Sequence, residues 1–275
     1  MRTAFAGEVM ATTTTPPPRA GTEPIRRTKP TGPPIIRFYR SAIGKKWVMA
    51  ITGLVLMSFV LVHLIGNLKV YLSKDELNLY GEALRDMPGH LLPRTVLLWT
   101  IRIGLILAFV FHIHAAYSLT VMNRRARPQT YKSKRDYIAA DWASRTMRWT
   151  GVIVLLYVLF HLADLTWGSA NPEFVRGDPY NNLIYSMQRP VVAGIYILAT
   201  IALGFHLLHG AWSLFQSLGI NNPKYNGARR QFAIAFMAII VIGNISFPIA
   251  VQAHLIEPAC PHTDPVADCS EKSGL

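Results

Sequence analysis

Five long apolar stretches run through this 275-residue chain, and four of them hold a histidine in their interior. The four are His63, His112, His161 and His206, with His114 and His209 as near neighbours. The stretches fall at about 47–68, 96–121, 149–167, 191–214 and 232–251. Each is long enough to cross a hydrocarbon core of about 30 Å, which takes about 20 residues of helix. An ionisable side chain inside a bilayer is costly unless it is paired or ligated, so intramembrane histidines point to a functional site. Four of them on four separate helices is the number that gives two haems two axial imidazoles each.

Composition supports the membrane reading, with 51% hydrophobic and 16% charged residues. The formal charge of +13 is distributed in alternation. Residues 1–46 hold nine Lys/Arg against two acids, 122–148 hold eight against two, and 215–231 hold three with no acid. Segments 69–94 and 168–190 are balanced, and the tail beyond Val251 has four acids and one lysine. This is the asymmetry that the positive-inside rule predicts for five helices with a cytoplasmic N-terminus and an outer C-terminus. The basic charge therefore reads as topology and a docking face, and nucleic acid is excluded as a partner. Cys260 and Cys269 both fall in the outer tail, where an oxidising exterior permits a disulfide that their spacing does not establish. Neither belongs to an iron–sulfur or zinc motif.

The expected fold is an all-α membrane protein of five transmembrane helices, the first four forming an up-down haem-binding bundle. Residues 1–34, rich in Thr, Pro and Arg, read as a disordered cytoplasmic tail. Residues 35–254 form the five-helix domain, and 255–275 a short outer tail. A short amphipathic helix is expected near 75–85, and the main inner loop at 127–143. No internal repeat stands out.

Topology converts residue numbers into depths. His63 and His161 fall toward the outer side of the first and third spans, and His112 and His206 toward the inner side of the second and fourth. The two layers are expected on the order of 10 Å apart. In an up-down bundle, the first and third helices, and the second and fourth, face each other diagonally. His63 then pairs with His161, and His112 with His206. Two choices stay open from the residues alone. His112 and His114 project to opposite sides of one helix, whereas His206 and His209 share a face, so His209 is an alternative ligand. Arg102, near the outer third of its span, either neutralises a haem propionate or snorkels to the headgroups. Asp164, three residues after His161, either bonds that imidazole's second nitrogen or marks the outer boundary. Gly53, Gly66, Gly104, Gly151, Gly194 and Gly210 leave room for a porphyrin or a neighbouring helix.

Several segments carry a family likeness. The first span reads from Ser41-Ala-Ile-Gly44-Lys45-Lys46-Trp47 through Thr52-Gly53 to His63-Leu-Ile-Gly66-Asn67. The second ends Phe111-His112-Ile-His114-Ala-Ala-Tyr117-Ser118 and Asn123-Arg-Arg-Ala-Arg127-Pro128. Phe160-His161-Leu162 and His206-Leu-Leu-His209-Gly210-Ala-Trp212-Ser213 follow. Over about 41–254 the chain resembles the single-chain, five-helix, dihaem cytochrome b subunit of succinate dehydrogenase or quinol:fumarate reductase.

That resemblance implies a membrane anchor for a flavoprotein subunit and an iron–sulfur subunit on the cytoplasmic face of a bacterial plasma membrane, and leaves room for a higher oligomer of the complex. Dicarboxylate chemistry then belongs to the flavoprotein. Electrons pass between iron–sulfur clusters and a membrane quinone, menaquinone or ubiquinone, through two b haems. The family spacing from ligand to following glycine favours His206 over His209, and likewise His112 over His114. Quinol-oxidising members carry a glutamate near the outer end of the second helix; 96–106 here holds no acid, which counts against an outer proton-active quinone site. The residues offer one candidate quinone site, the inner mouth around Tyr39, Arg40, Ser41, Lys46 and Trp47, with plain interfacial anchoring as the alternative reading. The competing readings are a haem-free structural anchor and the cytochrome b of another respiratory dehydrogenase.

Overall fold

The computed structural model describes residues 32–87, 89–91, 93–126 and 142–259. Most of the N-terminal tail, the inner loop from 127 to 141 and the two cysteines lie outside the described residues. Helices α1 (Pro34–Arg40) and α2 (Ala42–Asn67) meet at Ser41. Its hydroxyl accepts from the Gly44 amide at 2.9 Å and donates to the Phe38 carbonyl at 2.6 Å, capping the new helix. The chain then runs through α3 (Lys74–Asp86), α4 (Val96–Ala126), α5 (Trp142–Leu165), α6 (Pro179–Gln188), α7 (Pro190–Ser217) and α8 (Asn226–Gln252). No strand occurs among the described residues.

Five of these helices, α2, α4, α5, α7 and α8, are long and apolar enough to cross a membrane. The molecule is a multi-pass membrane protein. Their outward faces are lined with exposed Ile, Leu, Val and Phe, as lipid requires. Packing divides the spans into hairpins, with α2 along α4 and α5 along α7. Helix α2 also touches α7, which leaves α2 and α5 as one diagonal and α4 and α7 as the other. The histidine-free α8 lies against α7 and α2. Two glycines permit that approach: a Cβ on Gly204 would sit 2.5 Å from Val241, and one on Gly243 would sit 2.7 Å from Leu64.

At the end of the bundle where α2 stops and α4 begins, α3 is the amphipathic helix expected near 75–85, capped by Ser73. It packs on α6, a short helix the sequence reading did not foresee. Asp178 caps α6, accepting from the Asn181 amide at 3.2 Å and from Asn78 of α3 at 3.1 Å. Burial alone would raise the Asp178 carboxyl. The hydrogen bonds from Asn78 and Asn181 and the nearby Lys74 ammonium outweigh that and hold its pKa below the ordinary value. Gln252, closing α8, donates to the Met187 carbonyl at 2.7 Å and ties the last span to the same cap.

Candidate cofactor site within the bundle

The four histidines meet in the two diagonal pairs read from the sequence. His63 on α2 faces His161 on α5 with ring centres 5.9 Å apart and planes at 88°. His112 on α4 faces His206 on α7 at 6.3 Å and 63°. A metal bonded to two imidazoles at about 2 Å on each side needs ring centres roughly 6 Å apart. Both pairs meet that requirement. Among the described residues no three His, Cys, Asp or Glu side chains converge.

Each histidine of the His112–His206 pair is seated on the first helix of its own hairpin. His112 Nδ1 lies 3.1 Å from the Met49 carbonyl and 3.2 Å from the Thr52 hydroxyl. Thr52 donates back to the Val48 carbonyl at 2.7 Å, so the Met49 carbonyl is the acceptor that fixes the imidazole proton on Nδ1. Nε2 is then free for a metal. A Cβ on Gly53 would come within 3.3 Å of His112 Cε1, and one on Gly151 within 3.5 Å of His206 Cε1. The Met147 carbonyl stands beside His206 as Met49 does beside His112, but the buried His206 Nδ1 falls short of bonding geometry and has no partner.

This correspondence reveals a repeat that the sequence reading missed. Met49-Ala-Ile-Thr52-Gly53 and Met147-Arg-Trp-Thr150-Gly151 share the pattern Met-x-x-Thr-Gly, each followed ten residues later by His63 or His161. Phe111-His112 and Phe205-His206 continue it on the return helices. The two hairpins are thus copies of one unit with the same orientation. Ten residues of helix at about 1.5 Å each separate the glycine from the histidine, which puts the two layers about 15 Å apart, the order of magnitude expected.

The remaining candidates separate cleanly. His114 turns away from the inner pair, hydrogen-bonds the Tyr39 hydroxyl and stacks on its ring. His206, one turn before His209, supplies the ring that faces His112. Arg102 is exposed and lies over the Trp99 ring at 5.2 Å. Asp164 is fully buried and reaches His161 through Tyr196 rather than directly. At the inner mouth Ser41 is engaged as a helix cap, Lys46 and Trp47 are exposed, and Lys45 is buried over the Tyr39 ring. Sequence reasoning gave no role to Met49, Thr52 or Tyr196. The Met-x-x-Thr-Gly repeat was the signal that could have found the first two.

Residues 120–244 match the model of the succinate dehydrogenase/fumarate reductase transmembrane subunit family. The match spans 125 of the 275 residues, and over that stretch the chain is similar to this family. The matched segment runs from the C-terminal end of α4 into α8 and includes His161 and His206. His63 and His112 lie before it, on the first copy of the repeat. No curated protein and no solved structure matches the chain.

Proposed function

We propose that this subunit anchors a flavoprotein and an iron–sulfur subunit at the cytoplasmic face of a bacterial plasma membrane and passes electrons between them and a membrane quinone through two b haems. The observation that carries the reading is the pair of diagonal imidazole couples, 5.9 and 6.3 Å between ring centres, on four different helices. His112 and His206 would hold the inner haem, and His63 and His161 the outer one. When bound, haem supplies reversible one-electron transfer. The chain supplies the rest. The Met49 carbonyl orients His112, Gly53 and Gly151 leave flat space beside the inner rings, and the apolar spans keep the interior dry.

Arg102, at the outer level of α4, is the candidate cation for a haem propionate. Lys46 and Trp47, exposed at the inner headgroup level, are the candidates for a quinone headgroup, menaquinone or ubiquinone, with Ser41 restricted by its capping role. Dicarboxylate chemistry stays on the flavoprotein partner.

The test is a dithionite-reduced minus oxidised spectrum of the purified complex with pyridine haemochrome quantitation. About two b haems per chain are expected, and a haem-free complex overturns the proposal. A His112→Ala/His206→Ala double variant is expected to keep one haem. Full haem content in that variant sinks the inner assignment. His114→Ala and His209→Ala are each expected to retain both.

A further inference from the structure

The outer histidine pair is held unequally. His63 stacks on Phe59, with ring centres 5.3 Å apart, and has no hydrogen-bond partner among the described residues. His161 instead begins a polar chain. Its Nδ1 lies 3.4 Å from the Tyr196 hydroxyl, which donates its own proton to Asp164 Oδ2 at 2.9 Å. With that proton committed, the phenolic oxygen is left to accept. His161 therefore carries its proton on Nδ1 and presents the Nε2 lone pair for ligation.

Asp164 is fully buried, the one buried carboxylate among the described residues. Its Oδ2 also accepts from the Ser186 hydroxyl, and its Oδ1 from Arg189 at 2.5 Å. Arg189, whose side chain is 32% exposed, is anchored in turn to the Ala170 carbonyl at 2.7 Å. A buried ion pair is weak evidence for stability by itself, because desolvation offsets most of the attraction. A tie between α5 and the start of α7 needs only Asp164, Ser186 and Arg189. It does not need Tyr196 placed between the carboxylate and an imidazole.

The repeat sharpens the contrast. In the first hairpin the position three residues beyond His63 is Gly66, where the second has Asp164. Ten residues before His112 stands Arg102, where the second hairpin has Tyr196. Only the second copy can build the chain, so one outer imidazole is linked to a carboxylate and its partner is not.

We propose that Asp164, acting through Tyr196, is a positioning residue for His161 that fixes its tautomer, increases its electron donation and lowers the reduction potential of the outer haem. A carboxylate at the far end of such a chain raises ligand basicity and favours the oxidised metal. The inference rests on the dihaem reading above.

The experiment is a potentiometric titration of the purified complex, followed by visible absorbance and by the low-spin ferric EPR signals. The outer haem is the component that His112→Ala/His206→Ala retains. Asp164→Asn is expected to shift its reduction equilibrium about tenfold toward the reduced form, 59 mV for a one-electron couple, and to leave the inner haem unmoved. Tyr196→Phe keeps the Asp164–Arg189 pair and is expected to reproduce most of that shift. If Asp164→Asn fails to assemble, Tyr196→Phe decides alone. An unmoved outer potential in Tyr196→Phe, with both haems bound, overturns the relay. A wild-type complex without haem overturns the dihaem function itself, a result distinct from two bound haems with unmoved potentials.

Discussion

At the residue scale, His112, the proposed inner ligand, is defined by what stands behind it. His112 is oriented by the Met49 carbonyl and bordered by the bare face of Gly53. Gly53→Ala places a Cβ at 3.3 Å, which a ring shift of a few tenths of an ångström absorbs, and both haems are expected to remain. Gly53→Leu brings a branched side chain into the same space. It is expected to reduce haem from two to one per chain, read by pyridine haemochrome, with the outer spectral component retained. Full content in Gly53→Leu would show that this face of the ring is not confined. The histidines were legible in the sequence because a polar residue inside an apolar run is anomalous by itself. Thr52 and Tyr196 were not, since a hydroxyl in a membrane helix ordinarily bonds its own backbone. Only the neighbouring helix reveals the second use.

At the element scale, α6 shows how a short polar segment completes an apolar bundle. Asn181 and Asn182 are buried there, which is tolerable because each amide is bonded: Asn182 donates to the Val175 carbonyl and accepts from the Val175 amide, both at 2.7 Å. Asp178 starts the helix and links it to α3. Asp178→Ala is expected to lower stability by about 1 kcal/mol, the usual effect of losing an N-cap. Asp178→Asn keeps a capping oxygen and removes the charge that faces Lys74. The sign of the pH dependence follows from the direction of the shift. The folded carboxyl is held below its unfolded value, so its contribution is full above the unfolded carboxylate range and fades as pH falls through the lower folded value. Thermal unfolding in detergent should therefore separate wild type from Asp178→Asn at neutral pH, with the gap closing in acid. A gap that widens in acid would contradict the assignment. Hydropathy and turn signals did not announce α6, because its apolar face is too short to register as a span.

At the scale of the whole molecule, two hairpins of the same sense are set side by side, with α8 as a fifth helix packed against them. The positive-inside pattern assigns α2 and α5 an inner start. A reporter fused after Ala126 is therefore expected to stay cytoplasmic, and one inserted between α5 and α6 to be exported. The reverse pattern would invert both layers and place the Asp164 chain on the inner side. The layer spacing of about 15 Å also belongs to this scale. Contact of His112 with the Gly53 level of α2 measures both layers along a single helix.

The sequence by itself determined five spans, their alternating flanks and the histidine that each of four spans contributes. Hydropathy and charge are properties of the chain read in one dimension, and a bilayer sorts residues by that same coordinate. The diagonal pairing followed once the spans were ordered as an up-down bundle. Tertiary structure decided that the His206 ring faces His112, that His114 turns toward Tyr39, and that Tyr196 stands between His161 and Asp164. Each of these depends on how far a helix is rotated about its axis and shifted along its neighbour. Glycine notches, short caps and side-chain volumes on other helices set those two quantities, and no stretch of sequence holds them alone.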